Sequence, residues 1–416
     1  MNFYVQSLFI AIPLFIVLIV IEMIISKVKG ISVNNSEDMI SSLSSGITNT
    51  TKDAFKLSIV IVSYAWLVEN IQIYKLEPLW LSIFIAFLVQ DFMGYWMHRL
   101  NHRVNIFWNR HVIHHSSEEF NLSCALRQSI SETFKFSAIL MIPAALLGIP
   151  TKIFVVLAPI HLFMQFWYHT RLIGKMGFLE YIIVTPSHHR VHHAINPEYL
   201  DKNYGQILII WDKLFGSFQP ELDHVKPVYG TLRPVSTWNP IIINFKHIYQ
   251  LIKDAWHANR LFDKLKIWFM PTGWRPKDVE KRFPLNKIDD PFRQIKYKKK
   301  NSSMVLAWSW GQHIIAGAMM FHLFSIMNIN SPSLLDYLYG IFLFAHIFSF
   351  TSRLDHNVYA LFVEFCKMML GFYLLYTQGN IWFNLSEAFS IFIIAYLLVS
   401  FFLNANFHFK QNLVSN

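Results

Sequence analysis

Three histidine motifs carry most of the chemistry open to this chain: His98-Arg-Leu-Asn-His102, His111-Val-Ile-His114-His115 and His189-Arg-Val-His192-His193. Eleven of its 19 histidines fall between His98 and His193. Residues three and four apart share a helix face, so helical backbone would aim eight imidazoles at one place. Neutral imidazole binds zinc, copper, iron and nickel alike, so ligand type alone names no metal. Number is more informative. A structural zinc site is complete with four ligands, and eight or more imply two ions. The sequence Gln165-Phe-Trp-Tyr-His169 ends an apolar run with another i, i+4 pair, which makes His169 a ninth candidate. His188 and His247 stay open as ligands, whereas His161, inside an apolar run, is expected to pack. Glu118, Glu119, Asp201 and Asp212 are the nearby carboxylates able to orient the rings through their outer nitrogens.

The elements that position these motifs follow from composition. The 416 residues are 54% hydrophobic and only 15% charged, against about 25% in an ordinary soluble protein. Apolar runs fall near 8–25, 56–74, 77–97, 134–149, 152–168, 304–327, 335–351, 357–376 and 386–404. A bilayer crossing takes about 20 apolar residues, so a polytopic membrane protein is expected. The first run lacks a basic leader and a small-residue cleavage site, and Lys27 and Lys29 follow it. It reads as a retained helix with its N-terminus outside.

From that start the third run ends on the cytoplasmic side where His98 begins. The next two, joined by Gly148-Ile149-Pro150, form a hairpin that returns to the same side. All three motifs then lie together beside Arg99, Arg103, Arg110 and Arg190. That placement is consistent with the cost of a charge at the bilayer centre, at least about 2.5 kcal/mol. The net charge of +10 gathers beside the spans, notably at Lys296–Lys300. It therefore points to lipid headgroups and away from nucleic acid. Two cysteines, Cys124 and Cys366, supply neither a disulfide framework nor a cysteine-rich metal site.

The expected fold is all-α: a polytopic integral membrane protein with a cytoplasmic histidine-rich cap over the helix bundle. Residues 1–54 make an N-terminal anchor helix and loop, 55–302 the metal-binding domain with its cap, and 303–416 a four-helix membrane module. A metal transporter would need ligands along a path at membrane depth, and these motifs sit at span ends. A non-catalytic metal-binding scaffold is the remaining reading from a different class.

The motifs and their surroundings resemble the fatty acid hydroxylase/sterol desaturase superfamily of integral-membrane di-iron oxygenases. Two stretches carry the likeness beyond the motifs themselves: His111 through Ser123 and on to Ala125-Leu-Arg-Gln-Ser129, and Thr185 through His193, Asp201-Lys-Asn-Tyr-Gly205 and Ile210 to Ser217. The resemblance covers roughly residues 50–275. It implies that His98, His102, His111, His114, His115, His189, His192 and His193 ligate two iron ions, with His169 as an added ligand. The implied reaction inserts oxygen from O2 into a C–H bond of a lipid, ether-bond cleavage being one form. A sterol, sphingoid, carotenoid or fatty acyl lipid is the alternative substrate. The membrane implied is the inner membrane of a bacterium or the endoplasmic reticulum of a eukaryote. Animal relatives that use tetrahydrobiopterin carry an acidic residue directly after the second histidine, where this chain has Arg103. The reductant is therefore left open among the pterin, a ferredoxin and a cytochrome.

Overall fold

A computed structural model describes residues 3–328 and 330–415. Helix α1 (Phe3–Val28) is followed by α2 (Ser36–Ala54), a short α3 (Tyr64–Ile71) and the long α4 (Leu79–Arg103). Two single turns follow, α5 (Asn105–Trp108) and α6 (Val112–His115), and the second histidine motif lies on α6 with His111 as its N-cap. After α7 (Ile142–Leu146) and α8 (Thr151–Phe166) come α9 (Pro186–His192), with the third motif, and α10 (Ile210–Leu214). The cap is completed by α11 (Pro240–His257), α12 (Leu261–Lys266) and α13 (Lys277–Arg282). The last four helices are α14 (Ser303–Ile326), α15 (Leu334–Leu354), α16 (Tyr359–Thr377) and α17 (Glu387–Ser415). Among the described residues the strands are two, β1 (Ile59–Val60) and β2 (Phe134–Lys135), paired in parallel.

Among the described residues, five helices are long and apolar enough to cross a membrane: Ser7–Val28, Leu79–Arg103, Leu334–Leu354, Tyr359–Thr377 and Glu387–Lys410. The nine apolar runs therefore do not all become spans. The run at 56–74 breaks into β1 and the eight-residue α3, because Ser58, Ser63 and Gln72 punctuate it. The run at 134–149 becomes β2, a 3-10 turn and the five-residue α7, with Pro143 inside. Helix α8 reaches 16 residues, short of the roughly 20 a crossing takes. The expected hairpin of two full spans is thus a short one. It packs Ala144, Ile149, Phe154 and Leu157 against Ala86 of α4.

Residues 36–54, expected as loop, form α2 instead. Its N-cap is Asn35, whose side chain accepts from Asp38 N. Several of its hydroxyls are satisfied within the helix: Ser42 donates to Asp38 O, Thr48 to Ser45 O and Thr51 to Ile47 O, while Ser45 donates outside it to Gln128 O. That lets a polar sequence be buried. Ile40, Ile47 and Phe55 join the core of the four C-terminal helices. Asn301 bonds both Glu37 and Leu354 O, while Phe55 stacks on Tyr337. Helix α2 therefore runs antiparallel to α15.

Candidate metal centre

Helices α4 and α8 both run towards the same level and end there. The last turns of α4 present His98 and His102, and His169 lies just beyond α8. Residue Asn105 ties this end to the cap, donating to Ile267 O and Trp274 O. The third motif owes its helix to Thr185-Pro186. Threonine caps the helix reciprocally with His188, and proline fits its first turn. His188 is thereby used as a cap, and it stays outside the cluster. His247 lies elsewhere as well, with Nε2 2.9 Å from Asn105 O.

All nine of the other candidates converge. They form two groups, His98, His102, His111, His115 and His192, and His114, His169, His189 and His193. Within each group the ligand atoms lie within 4.8 Å of one another. His115 Nε2 is 3.1 Å from the Nε2 atoms of His102, His111 and His192. His98 Nε2 is 3.0 Å from His111 Nε2. In the second group His189 Nε2 is 2.8 Å from His169 Nε2 and 3.0 Å from His193 Nε2. His193 Nε2 is in turn 3.1 Å from His114 Nε2.

These spacings test the fit of a metal. Ligands at about 2.1 Å on adjacent corners of an octahedron stand about 3.0 Å apart. One ring proton on His115 cannot serve three neighbouring nitrogens at once. A cation at the centre of each group satisfies all the lone pairs together. The residues present fit a metal site.

The outer nitrogens select the tautomer that such a site needs. His98 Nδ1 lies 2.8 Å from Tyr204 O, His192 Nδ1 2.9 Å from Lys202 O and His114 Nδ1 3.3 Å from Arg127 O. A ring that donates from Nδ1 to a carbonyl keeps the lone pair of Nε2 free. Burial comes first among the causes that hold His111, His115, His189, His192 and His193 well below the usual histidine pKa. The neighbouring rings add to it. His114 is lowered to about 3, again chiefly by burial. Burial therefore favours the neutral form, the one able to bind a metal.

The four carboxylates expected behind the rings serve other groups. Asp212 accepts from Tyr204 N and Gly205 N, each at 2.7 Å, and so braces the carbonyl opposite His98. Glu118 accepts from Tyr297 N, and Glu119 from Arg171 and Lys296. Asp201 comes nearest, 3.8 Å from His102 Nδ1, with Arg103 as its close partner at 2.7 Å. The physical reason is the tight turn at 201–203, where Asp201 and Asn203 take positive φ. It turns main-chain carbonyls towards the rings. A neutral ring is then held without a second buried charge.

Sequence reasoning missed the brace beneath the second motif. Arg127 donates to Ser116 Oγ at 2.7 Å and to Ser42 Oγ at 2.9 Å, and it pairs with Asp38. Both members of that ion pair are buried. Helix α1 contributes too, since Glu22 accepts from Leu122 N and Thr170 Oγ1. The signal for Arg127 lay in the stretch 125–129, which carried the family likeness without a role attached.

An all-α membrane-type bundle whose helix ends gather nine histidines into two groups defines a membrane protein with a histidine-lined site that fits metal. Residues 83–217 match the model of the fatty acid hydroxylase family. The chain belongs to that family. It is 41% identical to the alkylglycerol monooxygenase of Homo sapiens over 269 residues, 64% of this chain and 59% of that one. It is 34% identical to the alkylglycerol monooxygenase of Xenopus tropicalis over 326 residues, 77% of this chain and 71% of that one. An ornithine lipid hydroxylase of Rhizobium tropici is 30% identical over 141 residues, 34% of this chain and 43% of that protein. No solved structure matches the chain.

Proposed function

We propose that the protein is a membrane di-iron monooxygenase that inserts one oxygen atom of O2 into a C–H bond of a lipid. An alkylglycerol ether is the favoured substrate, because relatives that carry that name match most of the chain. The carrying observation is the pair of Nε2 groups, five rings and four, at the ends of membrane-type helices. Each group would hold one ion. Iron bound there supplies the oxidising power that an unactivated C–H bond requires.

The chain's own residues do the rest. The carbonyls of Tyr204, Lys202 and Arg127 fix ring tautomers and orientation. The cap helices α11 and α12 close the polar side, with Asn105 as the tie. Helices α4 and α8 approach from the bilayer and would position the lipid while excluding water. Atoms balance when the lipid C–H and O2, with two electrons and two protons, give C–OH and water. Hydroxylation next to an ether oxygen gives a hemiacetal that falls apart to an aldehyde and a glycerol. The arginines around the motifs and the lysines at 296–300 support a cytoplasmic face for the centre.

The test is metal content and Mössbauer spectroscopy of protein from an iron-57 culture, alongside oxidation of hexadecylglycerol. About two irons per chain in a coupled pair are expected. His114→Ala and His192→Ala, one from each group, should insert normally, lose iron and lose all lipid oxidation. Full activity in either variant would overturn the assignment.

A further inference from the structure

A polar ladder descends from the histidines into the apolar layer between α4 and α8. On α4, Gly94 lies one turn before His98. On α8, Gln165 lies one turn before His169. The amide of Gln206 fills the place that a side chain at Gly94 would take, since a Cβ there would meet Gln206 Oε1 at 2.0 Å. A glycine inside a long helix costs about 1 kcal/mol relative to alanine, and here it gives room to that amide. Gln165 Nε2 reaches Gln206 Oε1 at 3.5 Å, the outer limit of a hydrogen bond. Both glutamines are half-buried.

One turn further down stand Asp91 and His161, both buried. Asp91 is fully engaged by Ile207 N, Leu208 N and Trp211 Nε1. Gln165 Nε2 donates to His161 Nδ1 at 3.3 Å, which leaves the ring proton on Nε2. That Nε2 is buried without a hydrogen bond, 3.5 Å from Asp91. Gln90, one turn before Gly94 on the same face, has a buried Oε1 without a donor. The ladder thus offers one unmet donor, one unmet acceptor and two loosely paired amides. Buried polar atoms of this kind are costly unless something completes them. Ionisable groups at membrane depth mark functional sites by default.

A hydroxyl both donates and accepts. We propose that the ladder is the subsite for the hydroxyl-bearing end of the lipid, with Gln165 and Gln206 as its specificity-determining residues. The carbon presented to the histidine groups then lies beside the polar head and not along the chain. This rests on the lipid-oxygenase reading above.

The test uses the full chain in nanodiscs and the displacement of an alkylglycerol that carries pyrene at its chain end. The competitors are hexadecylglycerol and its dimethyl ether, in which both hydroxyls are capped. The wild type should prefer the free diol about tenfold, the worth of two hydroxyl hydrogen bonds. Gln165→Leu and Gln206→Leu should each bring the preference to within about twofold with metal content unchanged. If either lowers metal content, His161→Phe, two turns from the nearest ligand, should give the same loss. An undiminished preference in the metal-loaded variants, or none in the wild type, would overturn the subsite. A wild type that prefers the diol yet oxidises no lipid would instead overturn the oxygenase reading and leave the subsite standing.

Discussion

At the scale of single residues the centre depends on what stands behind the histidines. Arg127 is the clearest case, because its carbonyl faces His114 while its guanidinium reaches Ser116, Ser42 and Asp38. Arg127→Met leaves the Asp38 carboxylate buried without its cation, a change that costs about 3–5 kcal/mol. Thermal unfolding in detergent should show that loss. The double variant Asp38→Leu with Arg127→Met should recover part of it, and equal losses would mean that the pair does not act as a unit. The sequence displayed all nine clustered histidines because a metal-binding pattern repeats one residue type at helical spacing. It concealed their braces, because a carbonyl that orients a ring can come from any residue. Tyr204 and Lys202 are named by the turn that aims them, which four expected carboxylates could not reveal. His188 adjoins three clustered histidines in sequence yet caps a helix, a distinction that depends on where α9 begins.

Elements were legible in proportion to how purely apolar they are. Helices α1, α4, α15, α16 and α17 follow the hydropathy of their runs, whereas α2 escaped because several of its buried hydroxyls are bonded, some to its own backbone and some to neighbouring segments. Hydropathy counts a serine as polar whether or not its hydrogen bond is already made. The runs at 56–74 and 134–149 misled in the opposite sense: enough apolar residues, but with proline and polar residues that break the helix. The contact between α2 and α15 offers a test of the element that was missed. A Cβ at Gly340 would meet the Phe55 ring at 2.7 Å. Gly340→Leu should overpack this seam and lower stability by about 1–3 kcal/mol. Phe55→Ala in the same chain should restore part of the loss. Unchanged unfolding of the single variant would show that α2 does not seat on α15.

For the molecule as a whole, the last four helices and the metal centre share α2 between them. One face of α2 joins Phe342, Ile347 and Leu374 in the C-terminal core. Its first turn carries Asp38 to Arg127 under the second motif. A chain ending at residue 302 should therefore expose Ile40, Ile47 and Phe55, and it should bind less metal as well as unfold earlier. Metal per chain and thermal midpoint, measured together, check this. A truncated protein with full metal and normal stability would make the C-terminal module an appendage.

The crowding of nitrogen lone pairs around His115 has one more consequence. The histidines around it come from α4, from α9 and from the turn that opens α6, so no local segment assembles the site before the chain has folded. A metal that binds only the folded form stabilises it by mass action, more strongly as its concentration rises. A metal held there would then be a partner in the protein's survival as well as in its chemistry. A cell short of that metal would hold less of the protein itself, because quality control would remove the metal-free chains.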